Sequence, residues 1–112
     1  LSVSEISKKI KQNAEDAKKG KISLDVKGTF SVTTLGMFGI PAFLPIINPP
    51  ECAILSIGAV ENRVVPVGDS YIGVRKTVTL ALASDHRAVG GVEAAKFLQR
   101  LDEIIISLFG VA

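Results

Sequence analysis

Residues 76–91 read Lys76-Thr77-Val78-Thr79-Leu80-Ala81-Leu82-Ala83-Ser84-Asp85-His86-Arg87-Ala88-Val89-Gly90-Gly91. The segment up to Ala83 alternates. Val78, Leu80 and Leu82 point one way, and Thr77, Thr79 and Ala81 the other, which is the period of a strand. Beyond Gly91 the period changes. Ala94, Leu98, Leu101, Ile105 and Leu108 recur at spacings of three and four, an apolar stripe along one side of a helix. Glu93, Lys96, Gln99, Arg100 and Glu103 lie largely off that stripe. A strand therefore runs through a short polar turn into an amphipathic helix.

Moving upstream, Ala53 to Val60 is a nearly continuous apolar run, which predicts a central strand. A tight turn at Glu61 and Asn62 leads to a partner strand ending at Val67. Residues 36–50 hold Gly36, Gly39, Pro41, Pro45, Pro49 and Pro50 among Met37, Phe38, Ile40, Phe43, Leu44, Ile46 and Ile47. Prolines and glycines at that density forbid regular structure. The segment is nevertheless too apolar for a free surface loop, so it is expected to pack against something, often another subunit. Thr29 to Leu35, rich in β-branched residues, predicts another strand.

The chain opens with a helix whose stripe is Val3, Ile6, Ile10, Ala14 and Ala17. Ser2 and Glu5 stand at capping-box spacing, and Gly20 after Lys18 and Lys19 is a sensible stop. Such a helix needs a surface to cover, and because it starts with the first residues we expect the chain to begin mid-domain. The order helix, strand, buried loop, three strands, helix predicts an α+β fold. Helices would cover a mixed, largely antiparallel sheet.

Composition narrows the function classes. At 112 residues the chain suits one domain with a modest core. Apolar residues make up 47% and charged residues 21%, the balance of a globular chain. Aromatic residues are only 5%, with no Trp, which argues against a stacking platform for nucleic acid. Seven of the thirteen basic residues are lysines between Lys8 and Lys27, read here as a solvated helix face and loop. No run reaches the length of a membrane span, and no signal-peptide pattern opens the chain. One Cys and one His in the whole chain argue against a zinc site. Cys52 precedes an apolar run and reads as a small buried hydrophobe.

His86 is the only histidine. Its turn lies between two rigid elements, a common place for catalytic side chains. An imidazole takes and returns a proton near neutral pH, as a general base must. A lone histidine at a strand end is, however, more often structural. Asp85 and Arg87 either orient it or pair as strand-end charges, and the second reading is preferred. Gly36 and Gly39 read as backbone requirements of the loop, because their spacing is no P-loop.

Three stretches alter the weight of these readings. Asp85-His86-Arg87, two small or apolar residues and then Gly resemble the signature of the 2-oxo acid dehydrogenase (dihydrolipoamide) acyltransferases. Phe30 to Ile40 is similar to that family's strand and glycine loop, and Ile47 to Leu55 to the segment after it. The matches are in family order and cover nearly the whole chain. The resemblance implies that residues 1–112 form the C-terminal part of a chloramphenicol acetyltransferase-like catalytic domain. It implies trimers assembled into a larger core, with coenzyme A and the lipoamide of a separate lipoyl domain as substrates, and no metal. It implies no nucleic acid or membrane partner. The compartment would be the cytoplasm in a prokaryote or the mitochondrial matrix in a eukaryote. His86 is then the base. Thr33 holds the position of the hydroxyl that stabilises the oxyanion, the two coming from neighbouring subunits. Asp85, Arg87 and Gly90 would support the site.

Two departures stand out. Thr33 occupies a position where the family usually has Ser, and Thr is stiffer about χ1. Gly90 stands where the family has Asp or Asn, a side chain that helps to hold the histidine turn. The alternative reading is therefore a catalytically weak or inactive fragment acting as an oligomeric scaffold.

Overall fold

A computed structural model describes residues 2–21 and 28–109. Helix α1 spans Val3–Lys18 and carries the expected capping box. The Glu5 N–H donates to Ser2 Oγ at 3.2 Å, and the Ser2 N–H to Glu5 Oε2 at 3.3 Å. The strands are β1 (Ser31–Thr34), β2 (Ala53–Ile57), β3 (Glu61–Val67), β4 (Tyr71–Thr77) and β5 (Leu80–Ser84). Helix α2 spans Gly91–Phe109.

The α+β class is as expected, but the sheet is divided. β1, β2 and β5 form a mixed three-stranded sheet with β2 in the middle, and β3 pairs with β4 in a separate hairpin. β1 runs parallel to β2, whereas β5 runs antiparallel to it. The strand expected over Lys76 to Ala83 is thus two strands broken at Val78 and Thr79. Thr77 closes the hairpin opposite Glu61, and Leu80 opens the other ladder opposite Ile57. Alternation marks extended backbone but carries no sign of which partner a strand pairs with, so the break leaves no trace in the period.

The central strand is the core. Ile54 and Leu55 are buried, and Ser56 is 1% exposed. Cross-strand pairing sorts the sheet into two faces. Leu55 and Leu82 pair on the side that α2 covers, where the Phe30 and Phe97 rings lie 5.8 Å apart. Ser56 faces the opposite side, where its hydroxyl donates to the Phe43 carbonyl at 3.0 Å. The greasy loop therefore lies over that second face. Gly58 is the necessary contact residue, since a Cβ there would collide with the Pro41 carbonyl. Gly39 ends the short 3₁₀ turn Gly36–Phe38 with φ of 72°.

One expectation fails. Cys52 is exposed, not buried: it lies at the end of the ladder, just before β2. The loop covers only part of its own apolar surface. Met37, Phe38, Leu44 and Ile46 are all largely exposed, and α1 buries no residue at all.

Candidate active site

β5 delivers the histidine turn. The Asp85 N–H still pairs with the Cys52 carbonyl at 2.7 Å, so the sheet holds the first residue of the turn. The Asp85 carbonyl then accepts the N–H groups of Ala88 and Val89 at 2.9 and 2.8 Å. Arg87 closes the turn from outside. Its backbone N–H and Nε both donate to Asp85 Oδ1 at 3.0 Å, and Nη2 donates to Oδ2 at 2.7 Å. Asp85 and Arg87 thus pair with each other, the structural alternative preferred for them above. These hydrogen bonds, the side-chain ones foremost, hold the Asp85 carboxyl down at about 2 and raise the Arg87 guanidinium.

A depressed carboxyl pKa means that the interaction is fully present above the ordinary aspartate value near 4 and disappears as pH falls through about 2. The Asp85 carboxyl carbon signal is expected to titrate near pH 2 by NMR, and to move back toward 4 in Arg87→Ala. A midpoint near 4 in the unmodified chain would mean that the pair does not form in solution.

His86 sits at the exposed tip of this turn. Its Nε2 lies 3.7 Å from the place where a Cβ on Gly91 would project, so the ring stands against the first residue of α2. An apolar slot of about 390 Å³ opens behind the turn, between α2 and the sheet, lined chiefly by Phe30, Ala53, Leu82, Val89, Ala94 and Phe97.

Of the two adjacent threonines on β1, Thr34 is fully engaged. Its hydroxyl donates to the Ile57 carbonyl at 2.8 Å and accepts the Gly36 N–H at 3.1 Å. Thr33 makes no side-chain hydrogen bond among the described residues. The register keeps it away from His86 of the same chain. Ser84 pairs with Ala53, one residue below the Ile54 that partners Ser31. Thr33 is thus three residues further along, roughly 10 Å, and two strands to the side, roughly another 10 Å. His86 continues past Ser84 in the opposite direction. Thr33 also pairs with Ser56, which places it on the face turned away from α2. One chain does not bring the two groups to a common atom.

The sequence matches the model for 2-oxoacid dehydrogenases acyltransferase (catalytic domain) over residues 1–109. The chain belongs to this acyltransferase family. It is 39% identical over 107 residues to a dihydrolipoyllysine-residue acetyltransferase component of the pyruvate dehydrogenase complex from Acholeplasma laidlawii, covering 94% of this chain and 20% of that protein. It is 44% identical over 104 residues to the corresponding component of the acetoin cleaving system of Bacillus subtilis (strain 168), covering 90% and 26%. The cubic core of a pyruvate dehydrogenase multienzyme complex superposes with a TM-score of 0.87 at 31% identity, over 97% of this chain and 46% of that one. The dihydrolipoamide acetyltransferase of Azotobacter vinelandii gives 0.86 at 31% identity, over 97% and 46%. The chain therefore spans about a quarter or less of those two curated relatives and under half of each solved chain.

The Azotobacter work concerns the roles of a serine, a histidine and an asparagine four residues after it in that acyltransferase's catalytic mechanism. Four residues after His86 this chain has Gly90, which carries no side chain. The space is not empty. A Cβ on Gly90 would collide with Glu93 Oε2, with Glu93 Cδ at 3.5 Å. Sequence reading passed over Glu93 as a polar residue off the helix stripe. The available signal was its place in the first turn of α2, three residues after the missing side chain. Among the described residues no group of His, Cys, Asp and Glu is arranged to hold a metal ion, and no helix is long and apolar enough to cross a membrane.

Proposed function

We propose that this chain is the C-terminal part of an acyltransferase core component of a 2-oxo acid dehydrogenase complex. It moves an acyl group between dihydrolipoamide and coenzyme A. The observation that supports this reading is an exposed His86 on a rigid turn, in a chain of this family whose Thr33 hydroxyl makes no hydrogen bond among the described residues. His86 takes the proton from the attacking thiol, and the thiolate adds to the thioester carbonyl. The oxyanion of the tetrahedral intermediate accepts a hydrogen bond from Thr33 Oγ1 of a neighbouring subunit. Collapse breaks the other C–S bond, and the departing thiolate recovers the proton from the imidazolium. No metal takes part. Coenzyme A and the lipoyl group are substrates. The test is acetyl transfer from acetyl-CoA to dihydrolipoamide, followed for the chain and for a chimera carrying a family N-terminal half. Transfer above background in the chimera is expected; none in either would leave the scaffold reading, which Gly90 favours.

Self-association is part of the proposal. The chain exposes 9188 Å², whereas a compact monomer of its 11.8 kDa exposes about 5,900 Å² by surface–mass scaling. Its radius of gyration is 16.7 Å, against about 13 Å for a compact domain of this length. Part of the excess lies on the hairpin, where Val64 pairs with Val74 and Pro66 with Ile72 on one exposed apolar face. A two-stranded ribbon with an uncovered apolar face is not stable alone in water. Sedimentation equilibrium at micromolar concentration should return a trimer or a multiple of it. A well-folded monomer under those conditions would remove the shared site as well.

A further inference from the structure

We infer that Asp85 is a positioning residue for His86: its carboxylate accepts the Arg87 N–H and so closes a ring around the backbone of the histidine between them. The inference rests on the reading of His86 as the base. Asp85 Oδ1 accepts that N–H at 3.0 Å. The ring so closed contains φ and ψ of His86, the only two soft backbone torsions a residue has. A second ring lies over the first. The Asp85 carbonyl accepts the Ala88 N–H at 2.9 Å, which makes residues 85–88 a hydrogen-bonded turn with His86 at its first central position. Asp85 is itself anchored, because its N–H donates to the Cys52 carbonyl at 2.7 Å, one step beyond the ladder of β2 and β5. The sheet therefore holds Asp85, and Asp85 holds the backbone from which the imidazole projects. Aspartate and asparagine suit this part, because their short side chains carry an acceptor that reaches the N–H two residues on. The Arg87 guanidinium has the lesser part. It donates Nε and Nη2 to the same carboxylate, yet its side chain is 91% exposed, whereas that of Asp85 is 26% exposed. A pair so open to water adds little of its own. The turn needs the acceptor at position 85 more than it needs the charge.

That distinction sets the test. Asp85→Asn keeps an acceptor at the same reach. Asp85→Glu keeps the charge on a longer arm, and Asp85→Ala keeps neither. Arg87→Ala keeps the carboxylate and removes the ion pair. Hydrogen exchange at the amide of residue 87 is followed by NMR in the 112-residue chain. Acetyl transfer, resolved into kcat and KM, is followed in the chimera that carries a family N-terminal half. Asp85→Ala and Asp85→Glu should speed exchange at that amide about tenfold. Both should lower kcat about a hundredfold, the effect of displacing a reacting group by about 1 Å, with KM within about twofold of the parent. Asp85→Asn and Arg87→Ala should stay within about threefold of the parent in both readouts. Equal losses for Asn, Glu and Ala at position 85 would overturn the proposal. So would unchanged exchange in Asp85→Ala, or a loosened turn that leaves kcat intact. Should Asp85→Ala fail to fold, the contrast between Asp85→Asn and Asp85→Glu decides alone. The exchange readout needs no turnover. Retained activity in a His86→Ala chimera would defeat the reading of His86 as base, and the exchange pattern separates that result from a failure of the Asp85 ring.

Discussion

Alanine at position 86 is expected to lower acyl transfer by about a hundred- to ten-thousand-fold, the usual worth of a positioned general base. The assay is acetyl transfer from acetyl-CoA to dihydrolipoamide, in the chimera that supplies a family N-terminal half. The melting temperature should stay within a few degrees of the parent. His86 is exposed and makes no hydrogen bond among the described residues, so its loss removes no core contact. Substitutions of that kind are worth roughly half a kcal/mol or less. The turn keeps its own fastenings, the Asp85 carbonyl and the Asp85–Arg87 pair. Activity retained to within a few-fold would mean that another group takes the proton. Collapse of the fold would mean that the imidazole is structural after all.

The second large effect concerns how the site is shared. Thr33→Ala should cost about a hundred- to a thousand-fold by removing one oxyanion donor. Mixing Thr33→Ala chains with His86→Ala chains should then restore activity. Each variant is defective in a different half of the site, and the register of β1, β2 and β5 keeps the two halves apart within a chain. In a randomly mixed 1:1 assembly about a quarter of the sites draw both groups from unaltered positions, so recovery should approach a quarter of the parent rate. Dissociation and reassembly before mixing is the required control. No recovery in verified mixed assemblies would place both groups in one chain and contradict the register argument. Recovery would also weigh against the scaffold reading, because a fragment without chemistry has nothing to complement.

Much of the fold is legible in the sequence. The capping box at Ser2 and Glu5, the stripe of α2, and the strands at β1 and β2 follow from local periodicity and turn chemistry, which act over a few residues. The turn bearing His86 was legible for the same reason, as were Asp85, Arg87 and Gly90 as its neighbours. The division into two sheets was not, because Thr77 and Leu80 differ only in the partners they meet, Glu61 and Ile57. Nor was the exposure of Cys52, which depends on what covers that end of the sheet.

By itself, the sequence determined the class of fold, the family, and the candidate residues His86 and Thr33. The fold class rests on side-chain identity and short-range spacing, whereas the family and the two candidate residues rest on motifs along the chain that resemble those of a known family. Only the tertiary structure decided that Thr34 is engaged while Thr33 makes no side-chain hydrogen bond among the described residues, and how far the register sets Thr33 from His86 within one chain. It also decided that Glu93 occupies the space left by Gly90. Those facts depend on register and on which face of the sheet each side chain takes. Register is set by pairing between segments far apart in sequence, so no local pattern encodes it.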